Sequence, residues 1–201
     1  MSEPADLEAE DQARADLYAL FARLFFAGPD AELLAAIASN GGAGGGDAPF
    51  ERAWDALALA ASRADASEVC AEYDQVFVGT GKAEVTPYAS HYLTESGREK
   101  ILVKLRDELA NLGLARHAAT REPEDHFAAL FEVMRHLIGA PNESAAVQQL
   151  SAFFGRYLAE SYAGFFEAIE ASRSTNFYTH VSRCAKAFMD IESEAIKMSN
   201  A

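Results

Sequence analysis

The chain has 201 residues, 50% of them apolar and 24% charged, which is ordinary globular composition and enough for one domain with a full core. Its 31 Asp and Glu against 17 Lys and Arg give a net charge of −14, which repels phosphate backbones and anionic headgroups and argues against nucleic acid and in favour of a cationic partner. The opening Met1-Ser2-Glu3-Pro4-Ala5-Asp6 has neither the basic nor the apolar region of a leader, and no run reaches the roughly 18 apolar residues of a membrane span. The expectation is therefore a cytoplasmic chain without stable membrane insertion.

Leu17, Leu20, Phe21, Leu24 and Phe25 follow the series of one helical face, predicting an amphipathic first helix that ends near Gly28-Pro29. Asp30 can cap a short second helix through Ala38. The glycine-rich stretch from Asn40 to Pro49 predicts a mobile loop, because ordering so many glycines carries a large entropy cost. It contains no Lys or Ser/Thr of the kind that holds a nucleotide. A third helix is expected over roughly Phe50 to Arg63 and a fourth over roughly Ala66 to Phe77, with Gly79 as its breaker.

The segment from Pro87 to Tyr92 reads as an irregular connection. A fifth helix carries Leu102, Leu105, Leu109 and Leu112 on one face and stops at Gly113. Pro123, with Glu122, Glu124 and Asp125 around it, predicts the first turn of another helix, where proline is tolerated and acidic groups complement the macrodipole. Phe127, Leu130, Phe131, Met134 and Leu137 then point it into the core. A long apolar-periodic segment runs from Glu143 to about Ala171, and Phe177 to Ile196 forms the last helix. No stretch alternates with period two and no repeat recurs, so the fold class is all-α: a single domain over residues 1–201 with seven to nine helices. Cys70 and Cys184 lie far apart without metal-type spacing and are expected to be two buried, reduced thiols.

Catalytic signatures are missing. None of the five histidines has a Glu three residues before it, as a di-iron bundle requires, and there is no HExxH, GxGxxG, P-loop or GxSxG pattern. Neither an enzyme nor a resident metal or cofactor is expected.

Three polar-aromatic blocks stand out. In the first, Tyr73, Val76 and Phe77 share one helical face before Gly79, which fits a buried core face as well as a site. In the second, Pro87, Tyr88, Ser90, His91 and Tyr92 gather side chains with apolar bodies and polar tips, suited to lining a groove. In the third, Asp125-His126 stands at a helix start, where it can cap; within a groove, the carboxylate can instead take a bidentate bond from an arginine.

In this order and spacing the blocks resemble the signature segments of the TorD/DmsD family of cytoplasmic chaperones, a likeness that extends over about residues 10 to 195 with the closing Phe177-Tyr178 and its helix. The resemblance implies a TorD-like all-α fold. It further implies a non-enzymatic, system-specific chaperone that binds the twin-arginine signal peptide and the apo form of a molybdenum-cofactor oxidoreductase, assists cofactor insertion and delays export until maturation. On that reading the signal-peptide site comprises Tyr73, Phe77, Gly79, Pro87, Tyr88, Ser90, His91, Tyr92, Asp125 and His126. Val76, Ala89 and the Tyr157, Ser161 and Tyr162 region depart from the family pattern. The chain is expected to be a monomer, or a dimer exchanging helices through the 40–49 loop. Two readings compete: a small-molecule- or metal-binding helical protein using His91, His126 and Asp125 as ligands, and an acidic helical adaptor of other ancestry.

Overall fold

The computed structural model describes residues 4–41, 48–79, 83–116, 122–140 and 144–199; residues 42–47 of the predicted glycine-rich loop lie outside this set. Ten α-helices and two π-helical turns are present among the described residues, and no strand. The described chain groups into two compact units, Met1–Ala22 with Pro87–Ser161 and Arg23–Thr86 with Tyr162–Ala201.

The first unit takes most of α1 (Pro4–Phe26), α5 (Ala89–Leu93), α6 (Arg98–Asn111), α7 (Phe127–Ile138), α8 (Ser144–Phe153) and a π-turn at Phe154–Leu158. The periodicity of α7 buries Phe127, Leu130, Phe131, Met134 and Leu137 as expected. Tyr18 of α1 packs on Phe131 at 5.8 Å between ring centroids. Leu105 and Leu109 of α6 are buried, and Gly113 after that helix adopts φ +71°, a left-handed conformation that glycine accepts without strain.

The second unit contains the end of α1, α2 (Ala31–Ser39), α3 (Pro49–Arg63), α4 (Ala66–Tyr73), a π-turn at Asp74–Val78, α9 (Tyr162–Ala171) and α10 (Phe177–Ser199). Helix α10 packs along α3 and α9, and α2 lies on α3. The Asp30 carboxylate accepts from Leu33 N at 2.8 Å, the predicted cap, and Asp65 caps α4 through Ser67 N and Glu68 N. At the core, Phe25 meets Phe165 at 5.2 Å and Phe77 meets Tyr178 at 5.1 Å. The hydroxyls of Tyr178 and Tyr73 donate to the carbonyls of Leu24 and Phe26 at 2.8 and 2.7 Å, satisfying acceptors that the end of α1 leaves open.

Several boundaries differ from the sequence expectation. The fourth helix stops at Tyr73 and continues as a π-turn in which Gly79 N donates to Asp74 O at 2.7 Å. Ala89–Leu93 is a short helix rather than irregular chain. Helix α7 begins at Phe127, after Pro123, because His126 holds extended backbone as its N-cap. The long segment from Glu143 divides at 159–161, where the Ser161 hydroxyl donates to the carbonyls of Tyr157 and Leu158 and competes with the helical ladder. Cys184 is buried as expected, but Cys70 is only half-buried; its thiol approaches Pro29 O at 3.6 Å.

Candidate functional site

Within the first unit the second and third blocks are joined by backbone. Tyr88 and His126 form an antiparallel bridge: Ala89 N donates to Asp125 O at 2.9 Å and Phe127 N donates to Pro87 O at 3.0 Å. Even a bridge of one residue pair needs extended chain on both sides, which delays the start of α7 and lets α5 begin only at Ala89.

Side chains reinforce this join. Asp125, 2% exposed, accepts from Ser90 N at 3.2 Å, and Ser90 is itself buried. His126, 4% exposed, accepts from Ala128 N through Nδ1 at 3.2 Å and so caps α7. Burial pushes its imidazole below the usual histidine value, against the opposing pull of Glu122 and Asp125. An acceptor Nδ1 and a depressed proton affinity are mutually consistent: accepting at Nδ1 requires a neutral ring protonated at Nε2, and the lowered proton affinity favours the neutral ring.

The Tyr88 ring stands edge-on to His126, 5.5 Å between centroids and 80° between planes, and its hydroxyl donates to Glu122 Oε2 at 2.6 Å. Tyr92 packs on Phe127 at 6.1 Å, and burial pushes its hydroxyl well above the normal tyrosine range. His91 is exposed and lies edge-on to Tyr92 at 4.9 Å. Pro87 is buried, whereas Tyr88 and Tyr92 are half-buried. The unit thus brings Pro87, Tyr88, Ser90, His91, Tyr92, Asp125 and His126 together, with the histidine and the tyrosines as the part that reaches solvent.

Tyr73, Phe77 and Gly79 belong to the second unit. Tyr73 and Phe77 are 8% and 5% exposed and pack at 5.3 Å between ring centroids, so their side chains serve the aromatic core there. Gly79 has φ +63° and closes the π-turn.

Sequence reasoning passed over three features. Glu124 is held between Arg106, at 3.0 Å, and Arg116, at 3.5 Å; burial disfavours its charge, but the Arg106 hydrogen bond and both cations outweigh that and keep the carboxyl below its usual range. Glu122 receives the Tyr88 hydroxyl. In the second unit, Glu72, adjacent to Tyr73, accepts from Asn176 N, Phe177 N and Tyr178 N at 2.8 to 3.0 Å and caps α10. The first two arise from residues 106 and 88, distant from 122–124 in sequence. The last pairs residues about a hundred positions apart, so no local pattern announces it.

Among the described residues no group of three or more His, Cys, Asp or Glu is placed to hold a metal ion, and no described helix is long and apolar enough to cross a membrane. Of the ligands named in the metal reading, His126 uses its Nδ1 to cap a helix and Asp125 accepts from a backbone amide through Oδ2.

Residues 44–167, more than half of the chain, match the family described as nitrate reductase delta subunit. Among curated proteins, the chain is similar to "Chaperone protein TorD" of Photobacterium profundum, 28% identical over 72% of this chain and 71% of that protein. It is also similar to the proteins of that name in Aliivibrio fischeri, 30% identical over 45% of this chain and 43% of the relative, and Aliivibrio salmonicida, 28% identical over 65% and 66%. The alignment thus spans less than half the length of the Aliivibrio fischeri relative and about two thirds of the other two. All three are named as chaperones.

Proposed function

We propose that this chain, which belongs to the nitrate reductase delta subunit family and is TorD-like, is a non-enzymatic chaperone that binds the twin-arginine signal peptide and the apo form of a molybdenum-cofactor oxidoreductase. In this reading it works in the cytoplasm, assists cofactor insertion and delays export until the client is mature. The observation that carries the reading is the bridge that holds Pro87–Tyr92 against Asp125–His126, so that two blocks thirty residues apart form one surface.

The physical demands are modest. Covering about 400 Å² of apolar peptide surface contributes roughly 10 kcal/mol gross, at about 25 cal/mol per Å². Ordering the disordered peptide offsets much of this, leaving an affinity on the order of micromolar. Tyr88, Tyr92 and His91 are assigned the direct contacts, since each offers an apolar body with a polar tip and reaches solvent. Asp125, His126, Ser90 and Pro87 are buried and hold that surface in place. Tyr73, Phe77 and Gly79 belong to the second unit, where Tyr73 and Phe77 fill the aromatic core, and they are assigned no exposed contact.

Calorimetric titration with a synthetic twin-arginine signal peptide of a molybdoenzyme tests this. The native peptide is expected to bind at micromolar concentration, and a version with polar substitutions in its apolar region to lose most of the heat. Negligible heat with both would end the proposal.

A further inference from the structure

We propose that Glu122 is a positioning residue of the peptide-binding surface and acts through Tyr88. This rests on the peptide-binding reading above and adds to it a residue outside all three sequence blocks. The Tyr88 phenol donates to Glu122 Oε2 at 2.6 Å, while its ring stands edge-on to His126 at 5.5 Å. One contact holds the tip of the ring and the other its side. The backbone of Tyr88 is already fixed by the bridge to His126, and these two contacts restrain the side-chain torsions that remain.

The neighbouring carboxylates have other tasks. Glu124 is paired with Arg106 and Arg116, and Asp125 is buried on Ser90 N. The Glu122 backbone is steadied in turn, since Arg116 Nη1 reaches its carbonyl at 3.5 Å. A half-buried tyrosine without these restraints samples several rotamers and must be ordered when a peptide arrives; a ring fixed beforehand avoids that cost. Glu122 therefore shapes the aromatic wall without touching the peptide.

The test uses the full chain, a synthetic twin-arginine signal peptide, and the variants Glu122→Ala, Glu122→Gln, Tyr88→Phe and the double Glu122→Ala/Tyr88→Phe. Glu122→Ala is expected to raise Kd about three- to tenfold, the size of a lost, partly exposed charge-assisted bond. Glu122→Gln keeps an acceptor oxygen and should recover most of the affinity. In the Tyr88→Phe background, removing the Glu122 carboxylate should change nothing further.

Equal losses for Glu122→Ala and Glu122→Gln that persist in the Tyr88→Phe background would mean that the carboxylate meets the cationic peptide directly, overturning the positioning role. A second readout needs no peptide: at a pH where the His126 ring is neutral in every variant, so that losing the Glu122 charge does not alter its titration, the NMR signal of His126 Hε1, beside the Tyr88 ring, should move in Glu122→Ala and stay in Glu122→Gln. An unmoved signal in Glu122→Ala also overturns the proposal. If the wild-type chain itself fails to bind, the peptide-binding reading fails, and the His126 signal still decides whether Glu122 holds Tyr88.

Discussion

His126 combines two duties that tie local stability to pH. Its Nδ1 accepts the Ala128 amide, and burial lowers its pKa below the 6.5 of an exposed histidine. On acidification the unfolded chain therefore takes up the proton first. The stability contributed by the neutral ring is complete above the unfolded value and is lost as pH falls through the lower folded one, while Glu122 and Asp125 moderate the loss. His126→Asn keeps a capping acceptor without a titrating ring. Between about pH 7.5 and about pH 5.5 its melting temperature should fall less than that of the wild type; identical slopes would remove His126 from this role. Asp125 is the companion case. Asp125→Ala strands the buried Ser90 N–H and should cost about 1–3 kcal/mol in urea denaturation. Loss of peptide binding by that variant therefore has to be read beside its denaturation midpoint. Both behaviours follow from burial, which a dipeptide at a helix start does not reveal: as sequence, Asp125-His126 fits an arginine-binding pair or a cap, while in the structure His126 caps α7 and Asp125 accepts from Ser90 N.

At the scale of helices, the segments with unbroken periodicity were legible and those ended by tertiary contacts were not. The face of α7, the Phe21, Leu24 and Phe25 part of the α1 face, the Asp30 cap and the stop at Gly113 follow from spacing and side-chain chemistry, while on α1 Leu17 and Leu20 are only half-buried and Tyr18 is buried. The start of α7 was displaced by a bridge to Tyr88, and the helix expected through Phe77 was converted near its end to a π-turn. Neither is announced by the spacing of apolar residues. The same holds for the candidate site: its blocks were visible, while the partners that position them, Glu122, Arg106 and Arg116, were not. The cap on α10 is the furthest removed. Three amides at its N-terminus depend on Glu72, so Glu72→Ala should destabilise the chain by about 1–2 kcal/mol and Glu72→Gln by less, as read from denaturant midpoints. A variant as stable as wild type would show that water replaces the carboxylate at no cost. Gly28 makes a different demand, because a Cβ there would lie 2.8 Å from Cys70 Sγ and 2.9 Å from Cys70 Cα. Backbone cannot yield as a side-chain tip can, so Gly28→Ala should cost about 1–3 kcal/mol and lower the melting temperature.

Across the whole chain the dominant quantity is the net charge of −14. Charge of this size acts at a distance that salt controls: the screening length is about 14 Å near 0.05 M salt and about 4 Å near 0.5 M. Steering of a peptide with two adjacent arginines should therefore appear mainly in the association rate, whereas burial of its apolar region governs how slowly it leaves. Raising NaCl over that range should slow association about tenfold with little change in dissociation. A peptide with both arginines replaced by glutamine should associate slowly at low salt already, show little further salt dependence and retain a similar dissociation rate. Stopped-flow measurements on the two peptides separate these terms. Equal salt dependence for both would mean that the negative surface does not guide the arginines, and the acidic composition would then owe its presence to solubility rather than to recognition.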